Sequence, residues 1–368
     1  MKIGILTFHR AHNYGAMLQA YALRKVLVNK GHEVEFISYR QRHIEDAYKA
    51  WVWKYDSSIS IANNFKNFLS NIITLFRRMR RIQAFRNFSS LYLPESNPFS
   101  REQLFSQGVN YECVVFGSDQ IWTKRFLGAF DDVFWGDVLL KPGKKIAYAP
   151  SMELKEISAQ EKEYIQKHIR NFSSVSARET HMSKILQPII GVHVPTVLDP
   201  TLLCNVGDYK DLINESQYVP IEPYVLVYQV GRHKVVHEIA NKVAAYLGCA
   251  IVEIGSTVLL HSESSYKDDL GPADFVALVK HAKFVVSCSF HGTAFSVNFH
   301  KPFYSILING IDSRVTSFLE QVGLQKCGIR NVDDIDMDAI LGIDFSKVDK
   351  ALTELRSNSL SYIDRAIR

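Results

Sequence analysis

The sequence predicts an α/β protein of two facing Rossmann-like domains, with a helical insertion and a C-terminal helix, and three observations lead there. Short apolar runs alternate with helix-periodic segments along most of the chain. Small and polar residues gather where those runs end, as at the carboxyl ends of parallel strands. The 368 residues exceed what one core ordinarily holds, so two domains are expected.

The first forty residues read as a βαβ unit. Ile3 to Thr7 is an apolar run, and Ala16 to Asn29 carries Met17, Ala20, Tyr21, Leu23 and Leu27 at helical spacing. Gly31 closes that helix and Val34 to Ser38 is the second strand. A parallel sheet with a right-handed crossover follows from this order. Residues 41–100 break the rhythm: they are aromatic and basic, helical over 65–89, and read as an insertion. Strand-turn units resume at Cys113 to Phe116, Lys145 to Ala149, Ser174 to Ala177 and Pro195 to Leu198.

A second set runs from Tyr224 to Val230 through helix 234–247, strand 250–254, helix 273–282, strand 283–287, helix 292–299 and strand 303–307. A helix over 347–366 ends the chain. The expected division is an N-terminal domain over 1–205 on the acceptor side, a C-terminal domain over 222–345 on the donor side, and a closing helix over 346–368.

A hydrophobic content of 47% with 22% charged residues is that of a soluble globular chain. The net charge of +5 suits a protein that handles small anions or lies near an anionic surface, and does not require nucleic acid. Five scattered cysteines form no CxxC pair, which argues against a disulfide framework or zinc ribbon and for a reducing cytoplasm. The segment MKIGILTF lacks a secretory pattern, and no apolar run is long enough to span a bilayer.

Five places could carry chemistry. The turn from His9 to Gly15 leads into the first helix, whose N-terminus suits an anion; Asn13 and Gly15 also read as an ordinary cap and turn. Ser118, Asp119, Gln120 and Trp122 follow a strand, as a sugar-contacting loop would, with Asp119 as a general base or as a helix cap. Arg178 ends another strand and can grip a carboxylate or phosphate, or simply pair with Glu179. In the run from Val285 to Ser296, an apolar strand empties into Ser289, Phe290, His291, Gly292 and Thr293. His291 there stands at a sheet edge, with Gly292 and Thr293 admitting a ligand closely. Asp312, Ser313 and Arg314 open a later helix and could add a second cation. Cys288 reads as a small buried strand residue rather than a nucleophile. No metal-ligand spacing is present, so neither metal nor other cofactor is expected.

The arginines Arg77, Arg78, Arg80 and Arg81, with Phe76, Ile82 and Phe85, suit either an anionic bilayer or a solvated helix face over the acceptor cleft.

The runs GILTFHRAHNYGAMLQAYAL, VVFGSDQIW, YAPSM, SARE, VLDPTLL and SCSFHGTAFSVNFHKPF, in this order over roughly residues 1–325, resemble the polysaccharide pyruvyl transferase family. The resemblance implies a fold like the B-type glycosyltransferases, phosphoenolpyruvate as donor, a saccharide acceptor and a pyruvate ketal as product. It implies that His291, Arg178 and Arg314 form the donor site, which with the reading of the strand ends above leaves His291 to handle a proton or phosphate, Arg178 and Arg314 to clamp the anion and Asp119 to serve the acceptor. Where many members carry a basic residue before Leu-His-Gly, this chain has Ser289-Phe290, which leaves Arg314 or Arg10 to compensate. The rival readings are a nucleotide-sugar glycosyltransferase on the same fold, which lacks a glycine fingerprint followed by an acid here, and a non-catalytic glycan-binding component.

Overall fold

Lys2–Leu6 forms β1, an apolar run buried from Ile3 onward, and Asn13 caps the helix Tyr14–Asn29 that follows by accepting from the Ala16 N–H. Glu33–Phe36 is β2, Cys113–Phe116 β3, Lys144–Ala147 β4 and Ser174–Val175 β5. All pair in parallel in the order β2-β1-β3-β4-β5, so the order reverses between β1 and β3. In open α/β sheets ligands lie beyond the carboxyl ends at such a reversal. The computed structural model describes residues 1–124, 129–140, 143–152, 157–216, 218–255, 257–259, 265–308 and 313–368, with the side chains of 42 and 43 excepted; Asp312 falls outside them.

The second sheet holds β6 (Tyr224–Gln229), β7 (Ala250–Gly255), β8 (Tyr266–Lys267), β9 (Phe284–Ser287), β10 (Phe303–Ile306) and β11 (Gly328–Ile329). Their parallel order is β11-β10-β9-β6-β7-β8, with the reversal between β6 and β9. This is the strand order of a six-stranded Rossmann sheet. Two facing Rossmann-like domains, a helical insertion and a C-terminal helix are thus present as expected. The two short edge strands, β8 and β11, lack a sequence run long enough to announce them. Pro195 to Leu198, expected as a strand, contributes only the single bridge of Ala177 to Thr196.

One apolar core runs through both halves, from Ile5 and Met17 at the front to Val227, Phe275 and Phe295 at the rear. Tyr14 carries the seam: its ring stacks on Phe275 at 5.3 Å, and its hydroxyl donates to the Leu270 carbonyl. The final helix, Phe345–Ile367, turns back onto the front sheet. Tyr362 donates to the carbonyl of Ala147 at the end of β4, and Ser359 accepts from the Leu198 N–H.

The insertion is dominated by the helix Ile61–Tyr92. Its arginine run is not the exposed basic patch that the sequence suggested. Arg81 is buried, donating to the Tyr14 hydroxyl and to the carbonyls of Gly255, Asp268 and His12. Arg77 pairs with Asp268 at 2.8 Å and Arg78 donates to Asn71. Arg80 stays exposed beside Asp269. A guanidinium that meets carbonyls and a carboxylate at a domain seam is held there rather than in bulk water.

Candidate functional site

The carboxyl edges of the two sheets meet at Arg178, Asp199 and His291. Arg178 follows β5 and is fully enclosed, its Nη1 donating to Asp199 Oδ2 at 2.8 Å and its Nε lying 3.4 Å from Glu179. Asp199 caps the short helix Pro200–Leu203, where its other oxygen accepts from the backbone and hydroxyl of Thr201. His291 comes from the opposite domain, in the first turn of the helix Phe290–Asn298, and sets Nε2 3.7 Å from the same Asp199 oxygen. That separation is an ion-pair distance, too long for a hydrogen bond.

Burial alone would raise the Asp199 carboxyl, but His291 and Arg178 outweigh it and hold it well below the usual range. Burial alone would lower Arg178, and Glu179 and Asp199 outweigh that, so the guanidinium is more firmly charged than usual. Two nitrogens of this group, Arg178 Nη2 and His291 Nε2, are buried with no hydrogen-bond partner among the described residues. Buried donors are ordinarily satisfied, so this is where an anionic guest has unused donors to meet.

Two glycines set the approach. A Cβ on Gly15 would lie 2.0 Å from His291 Nδ1, so the bare backbone at the start of the helix Tyr14–Asn29 seats the imidazole from across the seam. A Cβ on Gly292 would lie 2.1 Å from Ser287 Oγ. The space over Gly292 is filled by the end of β9 rather than left open to a ligand. Thr293 is likewise turned to the sheet, bonded to Ser305 and the Ser289 carbonyl. Ser289 is buried, its backbone N–H donating to Ser287. Phe290 carries the Arg178 guanidinium over its ring at 5.0 Å. Phe290, in the place of the Leu of Leu-His-Gly, thus supports a cation next to Ser289, where the resemblance led us to expect a basic residue.

Ser118 is buried after β3, donating to the Ala149 carbonyl and lying 3.4 Å from Asp199. Its neighbour Asp119 is half-buried with φ of 76°, a conformation uncommon outside glycine but tolerated by Asp. Asp119 Oδ1 accepts from the Gln120 N–H, and Gln120 Nε2 is another buried donor without a partner among the described residues. Asp119 adds to the charge stabilisation of Arg178 after Glu179 and Asp199. It also reaches Tyr48: burial raises that hydroxyl, Arg81 opposes the shift, and Asp119 adds to it. The carboxylate thus acts on both the Arg178 cluster and the insertion. Asn13 is the helix cap of the plainer reading. Arg314 is half-buried in the helix Ser313–Gln321, one turn before Phe318, whose ring meets Phe290 at 5.9 Å.

Beside the turn after β1 lies a hollow of about 560 Å³, walled by His12, Tyr48, Phe85, Arg86 and Met79 among others. His12 lies between Tyr48 and Phe85. Burial, then the charges of Arg81, Arg86 and Arg10, lower its pKa to about 4, so it is neutral at ordinary pH. Arg10 is gripped by Glu95 and lies near Glu45, so it is no spare cation for the Arg178 cluster. Cys288 is buried and its thiol pushed up by that burial, which makes it a poor nucleophile.

Sequence reasoning quoted Asp199 within VLDPTLL but assigned it no role. The Asp-Pro pair that opens a helix was the available signal. Nothing local marked Arg81 as a buried link between domains.

Residues 13–309 match the family model described as polysaccharide pyruvyl transferase. No curated protein sequence matches. Among solved structures the chain is similar to the E. coli heptosyltransferase WaaC with ADP-2-deoxy-2-fluoro heptose, at 13% identity over 84% of this chain and 89% of that one, TM-score 0.39. It is similar to the UDP-GlcNAc 2-epimerase from Methanocaldococcus jannaschii, at 11% identity over 96% and 92%, TM-score 0.47. It is also similar to the glycosyltransferase SnogD from Streptomyces nogalater, at 14% identity over 98% and 94%, TM-score 0.37. Likeness at this level concerns fold and not activity.

Proposed function

Because the chain belongs to the polysaccharide pyruvyl transferase family, we propose that it moves a pyruvyl group from phosphoenolpyruvate to a sugar of a surface or capsular polysaccharide precursor, leaving it as a ketal. One observation carries this reading: Arg178 and His291, from opposite domains, converge on the Asp199 carboxylate, and Arg178 Nη2 and His291 Nε2 stay buried without a hydrogen-bond partner among the described residues. Phosphoenolpyruvate brings a carboxylate and a phosphate together, and needs donors on two sides.

In the proposed reaction a proton is added to the methylene carbon of the donor, and an acceptor hydroxyl bonds to C2. The C2–O bond to phosphate breaks, a second hydroxyl of the same sugar closes the ring, and its proton leaves with phosphate. Arg178 and Arg314 hold the anionic groups, and Asp199 keeps Arg178 charged and His291 in place. His291 moves the proton or binds phosphate. Asp119 takes the acceptor proton, on the side that faces the insertion. Ser289, Ser118 and Gln120 line the approach. The donor and its cytoplasmic supply need no further cofactor in this scheme.

The test is mass spectrometry of a glycan precursor incubated with phosphoenolpyruvate and the protein, read as gain of one pyruvyl ketal. His291→Ala is expected to lower the rate by about 10²–10⁴ with the fold intact. Near wild-type transfer by that variant would remove His291 from the chemistry.

A further inference from the structure

The helix Ile61–Tyr92 wears its polarity inside out over its first twenty residues. Its enclosed side chains there are Asn64, Asn71 and Thr74, while Ile61, Phe65, Leu69, Ile72, Phe76 and Met79 face outward, each 41–79% exposed. These six recur at three- and four-residue steps and so form one stripe, about 27 Å long at 1.5 Å per residue. A helix on a water-facing surface ordinarily turns such a stripe to the core. A contiguous apolar face of this size left outside marks a contact.

From this inverted face we propose that the insertion docks the protein on an anionic bilayer surface, with the stripe lying among the acyl chains at the headgroup boundary. Charge selects this occupant. Residues 49–92 hold eight Lys or Arg against the single acid Asp56. Lys54, Lys66, Arg80 and Arg86 are exposed on the insertion, where anionic headgroups can meet them. A second copy laid face to face would set these cations against each other. Trp51 and Tyr55 are also exposed, in the segment that packs on the Asn64 and Asn71 side of the helix, and are the aromatic types that settle at a membrane interface. Among the described residues no helix is long and apolar enough to cross a membrane, so the contact is with one leaflet.

Of the arginine run only Arg80 is exposed with this surface among the described residues, while Arg77 and Arg81 brace the domain seam. The docking surface also leads somewhere. Met79 belongs both to the stripe and to the wall of the hollow beside His12, so a bilayer on the stripe brings headgroups to the mouth of that hollow.

Flotation of the full chain with vesicles tests this without donor or acceptor, and so independently of the transferase reading. The protein is expected to float with vesicles of phosphatidylglycerol and phosphatidylcholine in equal parts, and less with phosphatidylcholine alone. Phe65→Ser/Ile72→Ser/Phe76→Ser should lower the bound-to-free ratio about tenfold or more, with the thermal midpoint unchanged because these side chains are exposed. Lys54→Gln/Lys66→Gln should lose binding only to the anionic vesicles. The proposal is overturned if the parent protein stays soluble with both vesicle types, or if the serine variant floats as well as the parent. It is also overturned if the parent is a dimer that ignores vesicles and that the serine variant dissociates.

Discussion

At the scale of single residues, the cluster at the seam is held by charge balance in a dry setting. Asp199 is the carboxylate that meets both Arg178 and His291, so its removal leaves a buried guanidinium without its closest counter-ion. Breaking such a pair ordinarily costs about 3–5 kcal/mol. Asp199→Asn is therefore expected to lower unfolding free energy by that order in urea titration, and a loss under 1 kcal/mol would mean that Glu179 alone suffices. His12 offers a pH test. Its folded pKa of about 4 lies below the value of 6.5 for the free group, so the unfolded chain takes up the proton first. Above 6.5 the group contributes no pH dependence, and stability falls as pH drops from 6.5 toward 4. His12→Gln should flatten that part of the profile, measured as denaturation midpoint against pH.

At the scale of elements, the insertion helix is fixed by one side chain more than by its apolar face. Arg81 reaches two carbonyls of the rear domain, the Tyr14 hydroxyl and the His12 carbonyl, and stacks on Phe85 at 4.7 Å. Hydrogen bonds to a charged group contribute about 1.5–3 kcal/mol each, and their acceptors would be left dry by its loss. Arg81→Met is expected to destabilise by about 3 kcal/mol or more and to speed amide exchange across Ile61–Tyr92. Unchanged exchange in that helix would show that Phe85 and Phe88 anchor it unaided. The long helix was legible as helical because its periodicity is local. Which face would be buried was not, since Asn71 inside and Phe76 outside reverse the rule by which a face is read.

At the scale of the whole molecule, the halves are not independent. The shared core, the Tyr14–Phe275 stack and the returning helix with Tyr362 on the front sheet make each domain part of the other's cover. Calorimetry is expected to give a single cooperative transition rather than two. A fragment of residues 1–205 should lack a dispersed amide spectrum, because its inner face loses the partners that bury it. Two resolved transitions with a folded fragment would overturn this.

The succession of the longer strands and helices in each half, the position of Arg178 and His291 at strand ends and the family resemblance all follow from short-range pattern, because apolar period and turn residues act over a few neighbours. Asp199 as the shared counter-ion, Gly15 as the seat of His291, the filled space over Gly292 and the inward arginines follow only from the tertiary structure. The contacts of Asp199 and of Gly15 with His291 join segments distant in the chain, and the space over Gly292 is closed by Ser287 through the turn between strand and helix. Local preference does not encode which distant partner will arrive; the joint packing of two sheets around one seam does.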